Sequence, residues 1–217
     1  QGETAYVINE KDATISLIDT STDDVIGEIP STGRLGEEIN ATVIAHDGQY
    51  LYVVDADEAE LIKVDLTTRQ IIEKIEVGEG TEGLDISPDG NTLVVCEEGA
   101  ATVSFIDIAT LEITKTINVK GDAPEHCVYS PDGLWVVASQ EGSDSVDVID
   151  IERQEIIKTL STAGYPRGMG FTPDGAKLYI ANERANVTEV WNTIDWTLHT
   201  TINTGERSNG VKVSSNG

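Results

Sequence analysis

The tetrapeptide Ser87-Pro88-Asp89-Gly90 returns as Ser130-Pro131-Asp132-Gly133 and as Thr172-Pro173-Asp174-Gly175. Weaker copies stand at His46-Asp47-Gly48 and Ser215-Asn216-Gly217. From Gly48 onward the glycines are 42, 43, 42 and 42 residues apart. A fixed period of this size restricts the chain to an array of like supersecondary units, each burying its faces against its own copies. The recurring element is a tight turn. Proline presets φ at the first central position, aspartate bonds back to its own backbone, and glycine accepts the positive φ that follows. Apolar residues flank it on both sides, Leu84 to Ile86 and Leu93 to Val95, so each turn joins two strands as a hairpin.

Two more columns complete the unit when residues are counted from the turn glycine, with Gly2 as the first. Seventeen places on stand Asp19, Asp65, Asp107, Asp150 and Asn192, each closing a short β-prone run such as Val103-Ser104-Phe105-Ile106. Twenty-seven places on stand Ile29, Ile75, Ile117, Leu160 and Ile202, each inside a further strand. Every repeat therefore holds four short strands, and no stretch has an amphipathic helical period. Four-stranded antiparallel units at this spacing are β-propeller blades. The expected fold is all-β: one propeller domain over 1–217, with repeats at 2–48, 48–90, 90–133, 133–175 and 175–217. The aspartate column is expected to cap turns through its side chains, since Thr and Ser follow it, and to be too dispersed for one metal ion.

The run Asp174-Gly175-Ala176-Lys177-Leu178-Tyr179-Ile180-Ala181-Asn182, then Val103-Ser104-Phe105-Ile106-Asp107 and the Thr/Ile rhythm from Thr110 to Ile117, resemble the YVTN-type β-propeller repeat of exported and surface-layer proteins. The resemblance covers all five units. It implies the fold more than any activity, since propellers host unrelated functions. Heme d1-binding propellers and propeller lactonases have the same look. The first repeat departs from the pattern, with 46 residues from Gly2 to Gly48, and relatives usually close with seven blades.

The sequence starts with the second strand of a repeat (Ala5 to Ile8) and stops with the first (Val211 to Ser214). Pairing them would make a blade shared between the termini and remove two open edges. The expectation is a ring of five closed in this way, the alternative being repeats from a larger propeller.

In a propeller the strand before the turn lies nearest the axis, so the face opposite the turns carries the channel mouth. Eight residues before each turn glycine stand Asn40, Glu82, Glu125, Arg167 and Asn209; seven after it stand Asn9, Asp55, Glu97, Gln140 and Asn182. These polar columns are expected to ring the mouth, the default place for a ligand. His126 replaces the Ala41, Gly83, Gly168 and Gly210 of the other repeats, and an imidazole there suits a metal, a heme iron or a base. His46 and His199 fall elsewhere, so a multi-histidine site is not expected.

Charge decides among partners. Against 14 Lys and Arg stand 39 Asp and Glu, a net charge of −25, which repels nucleic-acid phosphates and anionic membrane surfaces. No apolar run reaches the ~20 residues of a membrane span. Cys96 and Cys127 form no CxxC motif and sit in apolar strands, as buried thiols do, although a disulfide between them stays open at this stage. There is no GxSxG elbow and no GxxxxGK[ST] loop, and no motif calls for a cofactor. The reading is a non-enzymatic, extracellular, cell-surface or periplasmic binding or scaffold module. It takes a protein or small-molecule ligand, a cation among them, at the acidic mouth. The alternatives are a lactonase-like or heme- or metal-carrying propeller using His126, and a fragment of a larger propeller.

Overall fold

The computed structural model describes residues 3–214 and 216; Gly2, Ser215 and Gly217, used above to phase the repeat, lie outside them. Blade 1 holds β1 (Thr4–Asn9), β2 (Thr14–Asp19) and β3 (Asp24–Ile29). Blade 2 holds β4 (Ile39–Ile44), β5 (Tyr50–Asp55), β6 (Glu60–Asp65) and β7 (Gln70–Glu76). Blade 3 holds β8 (Thr81–Ile86), β9 (Thr92–Glu97), β10 (Thr102–Asp107) and β11 (Ile113–Asn118). Blade 4 holds β12 (Pro124–Tyr129), β13 (Trp135–Gln140), β14 (Ser145–Asp150) and β15 (Glu155–Ser161). Blade 5 holds β16 (Pro166–Phe171), β17 (Lys177–Asn182), β18 (Val187–Asn192) and β19 (Thr197–Asn203). Blades 2 to 5 are four-stranded and blade 1 is three-stranded, all antiparallel meanders in chain order.

The turns form as their residues dictate. Gly48, Gly90, Gly133 and Gly175 take φ of 68°, 74°, 72° and 69°. In each, the glycine N–H donates to the carbonyl three residues earlier, at 2.8–2.9 Å. Ser87 Oγ donates to Asp89 Oδ1 (2.6 Å) and accepts the Thr92 N–H (3.0 Å), locking both strands to the turn. The aspartate column ends β2, β6, β10 and β14. Asp65 Oδ1 accepts the Thr68 N–H (2.7 Å) and Asp107 Oδ1 the Thr110 N–H (2.8 Å). These bonds favour the ionised carboxylates and hold both below the usual range.

The core lies between blades. Four apolar clusters join 1 to 2, 2 to 3, 3 to 4 and 4 to 5. The middle strands β5, β9 and β13 are buried along nearly their whole length, as expected of strands covered on both faces. Cys96 and Cys127 are buried free thiols in the cluster between blades 3 and 4.

Of the expected shared blade, the 209–213 segment takes the inner-strand place but makes no ladder with β1 among the described residues. Val211 to Val213 have no strand pairing, and β1 is an edge strand of its sheet. The segment 209–213 instead runs beside β16, where Gly168 N–H donates to Asn209 O (2.8 Å) and Gly170 faces Val211 and Val213. That is the place an inner strand of a following blade takes: Gly83 of β8 faces Glu125, His126 and Cys127 of β12 in the same way.

Candidate functional site

All four inner strands have an irregular step at one place: Ile39/Ala41, Thr81/Gly83, Pro124/Cys127 and Pro166/Met169. A bulge there re-aims consecutive side chains. In three of the four it leaves the residue eight before the turn glycine at the mouth, and in all four the next one lines the axial cavity. Asn40, Glu82, Arg167 and Asn209 accordingly border one opening of about 530 Å³, joined by Glu10 and Glu38. Beneath it an axial cavity of about 520 Å³ shares Asn40 and Glu82 with the opening. Its walls are β4, β8, β12, β16 and the 209–213 segment. They carry His126 near the mouth, Leu84, Val128, Met169 and Val211 in the middle, and Asp85 and Lys212 deeper.

Glu125 does not line the opening. It is buried and contacts the Arg167 guanidinium, which also contacts Glu141 and lies 3.4 Å from Glu183. Arg207 closes the cluster from outside, 2.9 Å from Glu183. One cation thus gathers three carboxylates that are each about a tenth exposed or less. Arg184 stacks 3.7 Å over Tyr165, and the hydrogen bond of that phenol to Glu141 raises its pKa. Glu82 is pushed up chiefly by burial and then by Glu98 and Glu38, while Asn40 partly compensates with a hydrogen bond.

The second expected column is corrected. Asp55, Glu97, Gln140 and Asn182 are 0–2 % exposed and hold the links between blades. Asp55 accepts the Glu37 N–H (2.8 Å) and Glu97 the Gly78 N–H (2.8 Å). Asn182 accepts the Gly164 N–H at 3.4 Å. Gln140 presses on Gly121, where an added Cβ would lie 2.0 Å from its Oε1. Asn9 bonds to Thr14 (3.1 Å) and Ser16 (2.9 Å). One place further on, Glu10 borders the opening, Glu98 acts on Glu82, and Glu141 and Glu183 are buried against Arg167, which borders it. Alternation along a strand sends neighbours to opposite sides, so a displacement of one residue exchanged link-holding groups for mouth groups. The glutamate column was visible in the repeats, four of its five places being Glu.

His126 stands in the cavity wall. Its Nδ1 is buried without a hydrogen-bond partner and lies 4.0 Å from Glu125 Oε1. Burial, and then the Arg167 charge, lower its pKa from 6.5 to about 4, so the imidazole is neutral at pH 7. The unfolded chain takes its proton near pH 6.5 and the folded protein only near pH 4. Stability contributed by the neutral imidazole is therefore full above pH 6.5 and lost as pH falls toward 4. Thermal melts between pH 7 and 4 are expected to show the protein losing stability relative to His126→Asn as pH falls. Parallel curves would refute this.

Together these features define a β-propeller with a ligand-sized axial cavity under an acidic mouth. The family model of the cytochrome D1 heme domain matches residues 2–130, and the chain belongs to that family. No curated protein matches it. Hydrazine synthase from Kuenenia stuttgartiensis is similar in structure: TM-score 0.71 at 21 % identity, over 99 % of this chain and 87 % of that one. A functionally unknown protein from Desulfotomaculum acetoxidans superimposes at TM-score 0.86 and 19 % identity, over 100 % of this chain and 71 % of that one. At these identities the likeness is one of fold.

Proposed function

We propose that this protein is a binding propeller that lodges a heme in its axial cavity, with His126 as the protein's ligand to the iron. The observation that carries this is a neutral imidazole in the cavity wall, its Nδ1 buried toward Glu125, standing where the other repeats have glycine or alanine. The donor set discriminates between kinds of metal. Among the described residues no three His, Cys, Asp or Glu side chains stand together as ligands, so a bare ion lacks its protein donors. A heme would bring its own ring nitrogens and need one further donor from the protein, which the His126 imidazole would supply. Leu84, Val128, Met169 and Val211 offer apolar wall to a flat macrocycle, and Lys212 a cation to one of its carboxylates. A bound heme would supply redox or small-ligand chemistry; the chain's own part is to donate the His126 lone pair and restrict access. The family membership supports this reading. The acidic surface suits an exported or cell-surface setting, which belongs to the same proposal.

Titration with hemin is expected to give a one-to-one shift of the Soret band, with affinity at least tenfold weaker in His126→Ala. A free-hemin spectrum, or equal titrations of both proteins, would reject the proposal.

A further inference from the structure

Two columns of the repeat supply bulk to the seams between blades on the side of the tight turns: the residue two places past the turn glycine and the residue twenty-one places past it. Between blades 4 and 5 they are Trp135 and Trp196, whose rings meet edge to face at 5.9 Å. Between blades 2 and 3 they are Tyr50 and Leu111, again within the apolar cluster. Between blades 3 and 4 they are Thr92 and Gln154, and neither belongs to the apolar cluster of that seam. A cavity of about 500 Å³ stands there, bordered by both residues. Its volume is that of a small-molecule site. Neither His126 nor any residue of the mouth borders it.

The cavity has an aromatic wall and an acidic rim. Phe105 and Tyr129, 6 and 7 % exposed, form the wall. The Tyr129 phenol packs from β12 into the same cluster as Phe105. Its main-chain N–H donates to Asp85 (2.8 Å), but its hydroxyl has no hydrogen-bond partner among the described residues. Burial raises its pKa, so it stays a phenol able to donate or accept. At the rim, Asp89 and Asp132 stand exposed on the tight turns of blades 3 and 4. Ser87 and Ser130 each hold one carboxylate oxygen at 2.6 Å. Asp150 also borders the cavity but already meets Arg153 at 3.5 Å. No Lys or Arg among the described residues lines the space, so Asp89 and Asp132 face it without a cation.

We propose that this cavity is a ligand site distinct from the axial one, taking a small molecule in which a flat aromatic ring with an N–H carries an ammonium group. The ring takes the volume that two indoles occupy in the next seam, against Phe105 and Tyr129. Its N–H donates to the Tyr129 oxygen, giving a buried polar group the partner it lacks. The ammonium stays at the rim, in water and beside the carboxylates of Asp89 and Asp132. The net charge of −25 draws cations of every kind toward the protein, and the aromatic wall selects those with a ring. An aromatic acid of the same shape meets both carboxylates and is refused.

Calorimetric titration with tryptamine, indole and indole-3-acetate tests this. Tryptamine is expected to bind one to one, indole several-fold more weakly, and indole-3-acetate most weakly of the three. Gln154→Trp rebuilds the filling of the next seam. The backbone there has φ of 54°, and Trp196 sits at 53°, so the variant is expected to fold and to weaken tryptamine at least about tenfold. Thr92→Trp, the counterpart of Trp135, is expected to do the same and decides if the first variant fails to fold. Tyr129→Phe is expected to weaken tryptamine and indole in the same proportion, whereas Asp132→Asn narrows the difference between them. Hemin titration of Gln154→Trp is expected to match the parent, so the two sites stand or fall separately. Absence of tryptamine binding would overturn the proposal. So would tryptamine binding that survives both filling variants, or indole-3-acetate binding as tight as tryptamine.

Discussion

Arg167→Leu is expected to lower stability by about 3–5 kcal/mol, the usual effect of removing one partner from a buried ionic group. The reason is local. Glu125, Glu141 and Glu183 converge on this guanidinium, and they are 8–10 % exposed while Arg167 is 23 % exposed. Without it, two of the three carboxylates lose their cation and mutual repulsion is uncompensated; only Glu183 keeps Arg207. For a domain of this length each kcal/mol moves the melting temperature by about 2–4 °C, so a fall of roughly 6–20 °C is expected in a thermal melt. Adding Glu125→Gln and Glu141→Gln to Arg167→Leu is expected to recover a large part of the loss, because neutral amides tolerate the site without a cation. A melting temperature within 2 °C of the parent, by the same conversion less than about 1 kcal/mol, would show the cluster to be solvated and unimportant to the fold.

Gly83→Ala is expected to cost about 1–3 kcal/mol or somewhat more, although the change adds one methyl group on an extended strand. An added Cβ would lie 2.5 Å from Glu125 O, 3.0 Å from Cys127 N and 3.0 Å from His126 Cα. All are backbone atoms of the neighbouring inner strand, so no side chain can swing aside, and blades 3 and 4 must part where His126 enters the cavity. Gly210→Ala is the internal control: the same column, nothing within 4 Å, and no expected change in the melting temperature. Equal melting of both variants would remove the claim that inner strands are in tight backbone contact around the axis.

These two residues show where reading the repeat succeeds and where it stops. Turn glycines, the strand-ending aspartates and the interblade isoleucines repeat one residue type because each answers a demand made within a blade or between successive ones, and such demands recur in every copy. Strand ends at Asp19, Asp65, Asp107, Asp150 and Asn192 agree with the structure for that reason. Arg167 and His126 break their columns, so the repeat marks them as different without saying what they meet. Arg167 finds its partners on three segments, the nearest 16 residues away in sequence, and only packing around the axis assembles them. The error over Asp55, Glu97, Gln140 and Asn182 has the same origin. Strand alternation says that neighbours face opposite ways but not which way is the mouth, and the bulge in each inner strand shifts that phase.

The amino-acid sequence alone determined the repeat, its four strands, the turn chemistry and the assignment of the domain to a propeller, because hairpin pairing and turn conformation depend on residues within a few places of one another. Only the tertiary structure decided that three carboxylates share one arginine, that His126 lines a cavity with its Nδ1 buried and unpartnered, and that the described faces of blades 5 and 1 share no apolar cluster. Those outcomes depend on the rotation from blade to blade and on the burial it produces, and no spacing along the chain carries that angle.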